Sequence, residues 1–549
     1  MQHLHAIRQS GAWFEGDVPP LHAEAAIADE LQYVTRPMTL VEKDGQLAVA
    51  KEGSVVFGDT AMIEGKHYPV KGYVPGIHPA ALGSRSFCQR LGIQFPYIAG
   101  AMANGIASVE MVEAMGNAGM IGFFGAAGLS VEQVEASIKD IKHRLGDKPF
   151  GVNLIHSPNE PGLEAAVADL YIKHHVRLVS ASAYLDLTWP LVYYRLKGIH
   201  RNADGEVVCP NQIIAKVSRV EVAQKFFSPA PDKILKQLLD MGKITQLEAE
   251  LAKEVPVAHD LTAEADSGGH TDNRSVVVLL PTMLALRDSF FEKYQYTRRL
   301  CVGLAGGIAT PVSAAAAFAM GADFIVTGSI NQSCQEAGTS DTVRELLAQA
   351  RQADVAMAPA ADMFEMGVKV QVLKWGTMFA VRGRKLYDLY RSYGGLQDLP
   401  ATQRALLERD YFRCTLEEAW EQTRQFFEKV DPSQNERALK DPKHQMALVF
   451  RSYLGRASKW ANAGVPDRKV DYQIWCGPAM GAFNAWVKDS FLESPKARHV
   501  DILAMNLLYG AAVVTRLNSL RMQGVELPAS CQAVRPLSLA SIYDRIAHS

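Results

Sequence analysis

The sequence lacks several signals that would narrow its class at once. Its seven cysteines (Cys88, Cys209, Cys301, Cys334, Cys414, Cys476 and Cys531) never form a Cys-x-x-Cys pair. A zinc site or a disulfide framework is therefore not expected, and reduced thiols in a cytoplasmic setting are the default. An excess of one charge is missing too. The 57 Lys+Arg stand against 59 Asp+Glu, a formal net charge of -2, which gives no support to a nucleic-acid binder or an electrostatic membrane anchor. Long apolar runs are scarce. Met1 to Gly16 holds no continuous apolar stretch, so no secretory signal is visible. Leu503 to Val514 is shorter than the ~20 residues that span a bilayer. No Gly-x-Gly-x-x-Gly turn and no internal repeat appear, so a separate dinucleotide-binding domain is not implied.

What is present is a globular composition, with 48% hydrophobic and 21% charged residues over 549 positions, which excludes global disorder. Residues 1 to about 85 read as a small β-rich unit, with runs such as Leu47 to Ala50 and Ser54 to Phe57 between Gly, Asp and Pro turns. From Phe95 short apolar segments alternate with amphipathic ones. The predicted strands are 97–101, 120–124, 150–155, 177–181, 213–217, 258–263, 301–305 and 324–327. Eight such strands predict an α/β fold closed into a (β/α)8 barrel, the TIM barrel.

The connecting helices carry their own signals. Ser130 and Gln133 have capping-box spacing ahead of Val134, Ile138, Ile141 and Leu145. Residues 232–254 predict a longer helical stretch. A helical region follows the barrel, with examples at 342–353, 415–429 and 497–522 and breaks near Pro432, Pro466 and Pro528. The expected division is 1–85, 86–340 and 341–549. The last part packs beside the barrel or covers its mouth, supplying substrate contacts or a dimer surface.

The chemistry concentrates at predicted strand ends. Ala305-Gly306-Gly307 leads into Thr310-Pro311, a helix start with free backbone N–H groups, and strand eight ends at Gly328-Ser329. Turns after strands seven and eight of such barrels commonly hold a phosphate. Asp266-Ser267-Gly268-Gly269-His270 follows strand six; the glycines make room for a planar group and His270 can exchange a proton beside it. Strand one ends Ala101-Met102, small and soft walls for a ring, while Asn153 and Lys216 stand at the ends of strands three and five. His174 and His175 fall in a helix-to-strand junction and are read as solvated, with no metal-ligand spacing.

These residues resemble a known family. Gly100-Ala101-Met102, Ser267-Gly268-Gly269-His270, Ala305-Gly306-Gly307-Ile308 and Gly328-Ser329 are similar to the FMN-binding set of nitronate monooxygenases and flavin-dependent enoyl reductases. The segments 213–219, 368–374 and 471–481 resemble signatures of the trans-acting enoyl reductases of bacterial polyunsaturated fatty acid and polyketide synthases, the former preferred. The resemblance implies bound FMN, hydride from NADPH or NADH, and an enoyl thioester held on an acyl carrier protein. It implies that Ala101, Met102, Asn153, Lys216, Gly268, Gly269 and Ala305 line the flavin. Gly306, Gly307, Gly328 and Ser329 hold its phosphate, and His270 is the active-site histidine. A homodimer is expected. Asp266-Ser267 stands where the family often has Glu-Ala. Three rivals remain: a nitronate oxidase, a lyase using Lys216 as Schiff-base nucleophile, and a non-catalytic docking protein.

Overall fold

A computed structural model describes residues 11–58, 65–156 and 161–547. Residues 1–10, on which the reading of the N-terminus partly rests, lie outside the described residues. Contacts gather the chain into two compact units. One comprises residues up to Arg85 together with Thr310–Ala319 and Ile502 onward; the other comprises Ser86–Ala309 and Met320–Asp501.

The first unit holds a five-stranded sheet of β1 (Gly11–Glu15), β2 (Met38–Lys43), β3 (Gln46–Ala50), β4 (Gly53–Phe57) and β5 (His67–Val74), in the order β3-β2-β5-β1-β4. Trp13, Val41, Ala48, Ala50 and Val70 form its apolar face. The helix Val500–Met522, which belongs to this unit from Ile502 on, corrects the reading of the 503–514 run. It continues through Arg516 for 23 residues and is long and apolar enough to cross a membrane by length and composition, with 83% of its most apolar window buried in the protein. Arg516 is fully buried and donates to the Tyr33 carbonyl, so its charge lies inside the unit. The Tyr509 hydroxyl donates to the Gln32 carbonyl at 2.7 Å.

The second unit is built on the predicted barrel. Its strands are β6 (Tyr97–Ala99), β7 (Ile121–Phe124), β8 (Gly151–Ile155), β9 (Leu178–Ser182), β12 (Gln212–Val217), β13 (Asp260–Glu264), β15 (Cys301–Ala305) and β16 (Ile325–Thr327). All pairings are parallel, and β16 pairs with β6 to close the ring. A small hairpin, β10 (His200–Arg201) and β11 (Val207–Val208), interrupts the series before β12. Each strand falls within two residues of its expected place. The strands are buried on both faces, so their apolar runs are continuous and easily read. The helix Val131–Leu145 begins with the expected box: Gln133 N donates to Ser130 Oγ, and Ser130 N donates to Gln133 Oε1 at 3.0 Å.

The structure refines three expectations. The helical stretch 232–254 is two helices, Asp232–Asp240 and Gln246–Leu251, and then a single 3-10 turn. Gly242 turns the chain at φ +65, and Thr245 and Glu248 open a new capping box, which together end one helix and start the next. His174 is not simply solvated, because its Nε2 pairs with Glu135 at 2.7 Å; His175 is exposed. The helices expected at 342–353 and 497–522 run over Asp341–Gln349 and Val500–Met522.

Beyond the barrel strands, β17 (Val355–Pro359) and β18 (Lys369–Leu373) form an antiparallel pair, and β18 also pairs with the two-residue β14 (Gly269–His270). The helices Leu416–Val430 and Pro442–Ala463 follow, packed around Phe450, Tyr453 and Leu454. Asp471, fully buried, anchors this region by accepting from Tyr453 Oη at 2.6 Å and from Arg382 and Arg468.

Candidate active site

The carboxyl ends of the barrel strands open into a cavity of about 670 Å³, the size of a small-ligand site. All twelve residues singled out in the sequence line it: Ala101, Met102, Asn153, Lys216, Gly268, Gly269, His270, Ala305, Gly306, Gly307, Gly328 and Ser329. The cavity is not bounded by the barrel alone. Thr423 and Phe427 from helix Leu416–Val430, and Leu448, Arg456 and Lys459 from helix Pro442–Ala463, supply part of its wall. Within the second unit, the helical region therefore helps enclose the mouth.

The strand-seven and strand-eight turns are made of bare backbone. Gly306 and Gly307 are consecutive left-handed residues, at φ +87 and +74, a conformation that costs any other residue type free energy. A Cβ on Gly306 would sit 2.7 Å from the Ala265 carbonyl carbon, whereas one on Gly328 would meet no protein atom within 4 Å. The space at Gly328 is thus left open where the turn lines the cavity. The Tyr97 and Thr327 hydroxyls bond at 2.6 Å, Asn331 Nδ2 donates to the Thr327 carbonyl at 3.1 Å, and Ser329 Oγ accepts from Gly477 N at 3.1 Å. An anion and a flat ring find here what they need: exposed backbone, small walls, and no fixed carboxylate within the turns.

Three polar side chains enter from other strands. Asn153 is buried and spends its amide hydrogens on the Ser180 carbonyl (3.0 Å) and Ser182 Oγ (3.2 Å), which leaves its carbonyl oxygen for a ligand. Lys216 Nζ lies 2.9 Å from Glu264 Oε1, and Glu264 also accepts from Ser267 Oγ at 3.1 Å. His270 Nε2 donates to Asp362 Oδ1 at 3.2 Å and keeps 39% of its side chain accessible. Burial pushes the His270 imidazole down, but the hydrogen bond and the charge of Asp362 outweigh it, so His270 titrates above the ordinary histidine value. Burial pushes the Asp362 carboxyl up, but the His270 bond and charge, together with backbone N–H groups, outweigh it and hold the carboxyl below its ordinary value.

The loop bearing His270 is held from outside the barrel. Gly269 and His270 pair with Gln371 and Val370. The Gln371 side chain donates to Asp266 Oδ1 at 2.6 Å and to the Ser267 carbonyl at 3.2 Å. Gly268 lies so close to the backbone of Cys476 and Gly477 that a Cβ would stand 2.9 Å from it. Asp266-Ser267, the departure noted in the sequence, thus serves as the seat for Gln371. Asn104, at φ +57, lines the cavity and donates to Ser458 Oγ at 2.8 Å.

Asp362, Glu264, Gln371, His156 and Glu164 are not among the site residues expected from the sequence. His156 Nδ1 lies 3.0 Å from Glu164 Oε2 on the cavity wall, and buried Glu164 also accepts from Tyr184 Oη at 3.0 Å. Asp362 lies 92 positions beyond His270, and no local spacing links the two. The only available signals were the family-like segment 368–374, which contains Gln371, and the polar end of strand three, which contains His156.

Comparison with known proteins gives the setting. A family model described as nitronate monooxygenase matches residues 85–375. A second model, described as the inserted helical domain of acyl-carrier-protein S-malonyltransferase, matches residues 393–472. The polyketide biosynthesis protein PksE of Bacillus subtilis (strain 168) is 48% identical over 455 residues, covering 83% of this chain and 58% of its own. A polyunsaturated fatty acid synthase polypeptide of a Thraustochytrium species is 47% identical over 447 residues, covering 80% of this chain and 30% of its own. This chain therefore corresponds to only part of each of these relatives. The crystal structure of the enoyl reductase domain of MlnA, from the macrolactin biosynthesis cluster of Bacillus amyloliquefaciens, matches with a TM-score of 0.77. It is 42% identical, over 81% of this chain and 100% of that one.

Proposed function

The chain belongs to the nitronate monooxygenase family of oxidoreductases, and from that premise we propose that it is an FMN-dependent enoyl reductase. Its substrate is an enoyl thioester carried on an acyl carrier protein, reduced in trans during polyunsaturated fatty acid or polyketide synthesis with hydride from NADPH. When bound, FMN supplies a ring that accepts hydride from the nicotinamide and delivers it to the β-carbon of the substrate.

The chain's own residues have distinct tasks in this reading. Gly306, Gly307, Gly328 and Ser329 bind the phosphate through backbone N–H groups and the space their missing or short side chains leave. Ala101, Met102, Gly268, Gly269 and Ala305 form the small-residue walls of the ring site, and Asn153 presents its carbonyl oxygen there. Lys216 is an ion-pair partner of Glu264, which favours a charge-balancing role over that of a free amine nucleophile. His270 is the donor to the developing enolate, at the α-carbon or at the thioester oxygen.

The observation that carries the proposal is the His270–Asp362 pair. Asp362 favours the protonated imidazole, as a proton donor requires; a monooxygenase base needs the neutral form. The chain is further proposed to act as a cytoplasmic homodimer, divided in function into residues 1–85, the flavin barrel 86–340, and the substrate and partner region 341–549.

The test is anaerobic. The purified protein should be yellow, NADPH should bleach it, and a crotonyl-type thioester should restore the colour. Recovery only on admitting oxygen would overturn the reductase reading in favour of an oxidase. A colourless protein trapped by borohydride with a carbonyl substrate would instead favour the lyase.

A further inference from the structure

The charged side chains that line the cavity are paired, with two exceptions. Lys216 pairs with Glu264, His270 with Asp362, His156 with Glu164, and Arg451 with Glu365 at 3.2 Å. Arg456 and Lys459, also on the cavity wall, have no ion-pair partner among the described residues, although the Arg456 guanidinium also lies over the Trp460 ring, 5.7 Å from its centroid. They stand three positions apart on helix Pro442–Ala463, hence on one face of it.

Arg456 is half-buried, and its guanidinium is already aimed. Nε donates to the Ser452 carbonyl at 3.2 Å, Nη2 to Ser452 Oγ at 3.3 Å, and Nη1 to Gln422 Oε1 at 3.1 Å. Three of its five N–H donors are thus fixed on neutral acceptors, and two remain. Burial, with no carboxylate to offset it, pushes its pKa down. An oriented, partly desolvated cation without a counter-charge is a site waiting for an anion. Lys459 is exposed and adds a second positive charge one turn on. Between them Ser458, buried, accepts from Asn104 of the loop after β6, which ties this turn to the strand-one side of the mouth, on a different element from the glycine turns.

We propose that Arg456 and Lys459 form a phosphate-ester site at the cavity mouth, separate from the one formed by the glycine turns. The proposal rests on the reductase reading for its two possible sources. These are the phosphodiester of the pantetheine arm that brings a thioester to the cavity, and the phosphates of the nicotinamide dinucleotide. The pairing of a guanidinium fork with a flexible ammonium suits either.

Calorimetric titration of the flavin-loaded full chain tests it, with 4′-phosphopantetheine against pantetheine and adenosine 2′,5′-bisphosphate against adenosine. Wild type should bind at least one phosphate ester about 10-fold more tightly than its unphosphorylated partner. The double variant Arg456→Gln, Lys459→Gln should lose that margin. Loss with 4′-phosphopantetheine assigns the pantetheine arm; loss with the bisphosphate assigns the dinucleotide. Equal binding of each ester and its partner by wild type, or an unchanged margin in the variant, overturns the site. Lys459→Gln alone, at an exposed position, repeats the measurement should the double variant misfold, and should reduce the margin. Because binding is read without turnover, a chain that shows the margin yet reduces no enoyl thioester keeps this site and loses the reductase reading.

Discussion

The glycine turns after β15 and β16 and the loop that carries His270 line one cavity, yet they are built by different means. The turns are mostly local: consecutive left-handed glycines, an open space at Gly328, and the Asn331 amide on Thr327, with Tyr97 and Gly477 adding one bond each from further along the chain. The His270 loop owes its shape to distant chain. It takes its pairing from β18, side-chain bonds from Gln371, a charge partner in Asp362, and a backbone seat at Cys476 and Gly477. The barrel therefore supplies most of the proposed cofactor cradle, with one bond from Gly477 to Ser329, while the proposed proton donor is set largely by segments that follow the barrel.

Substitutions can separate the two halves. The largest effect is expected from Gly328→Leu, whose side chain meets no protein atom at its root and so fills the cavity instead of breaking the fold. It should abolish both the flavin absorption and turnover while leaving the circular dichroism of the chain unchanged. Retained flavin would place the phosphate elsewhere. His270→Ala should keep the flavin spectrum and lower enoyl turnover by about 10²–10⁴-fold, the usual worth of a positioned acid. An equal loss of cofactor would show that the halves are not separable.

Asp362→Asn should act through His270 and cost about tenfold near neutral pH. Turnover needs protonated His270, so in wild type it falls as pH rises through a pKa above the ordinary histidine value. Without Asp362 the lowering effect of burial prevails, and this alkaline limb of the kcat profile should move to lower pH; an unmoved limb would remove His270 from the titration. By the same linkage, the stability that His270 gains is fully present below its unfolded pKa and fades as pH rises through the folded one. Ser130→Ala is the smallest change and touches neither half. It removes a helix cap, costing about 1 kcal/mol in denaturant unfolding, with the flavin spectrum and kcat unaltered.

What the sequence discloses follows the same divide. Barrel strands are legible because they are short apolar runs at regular spacing, and the turn glycines are legible because consecutive positive φ angles require them. Asp362 carries no such mark: its partner is 92 positions away, and an aspartate in a loop is ordinarily a turn residue. The helices after the barrel show their periodicity but not their placement, so whether they stood beside the mouth or over it stayed open. Apolar periodicity also passed through Gly242 unbroken; the left-handed turn there is a backbone event that side-chain patterning does not report.

The two-residue strand Gly269–His270 also determines where the chain can be cut. A fragment ending near residue 340 retains all eight barrel strands and both glycine turns, but leaves that strand with an exposed edge and an unseated histidine. Such a piece is expected to be a coloured protein without chemistry. With His270 as the proposed proton donor, an active chain is expected to run at least through Gly477, whose backbone forms the far side of the seat.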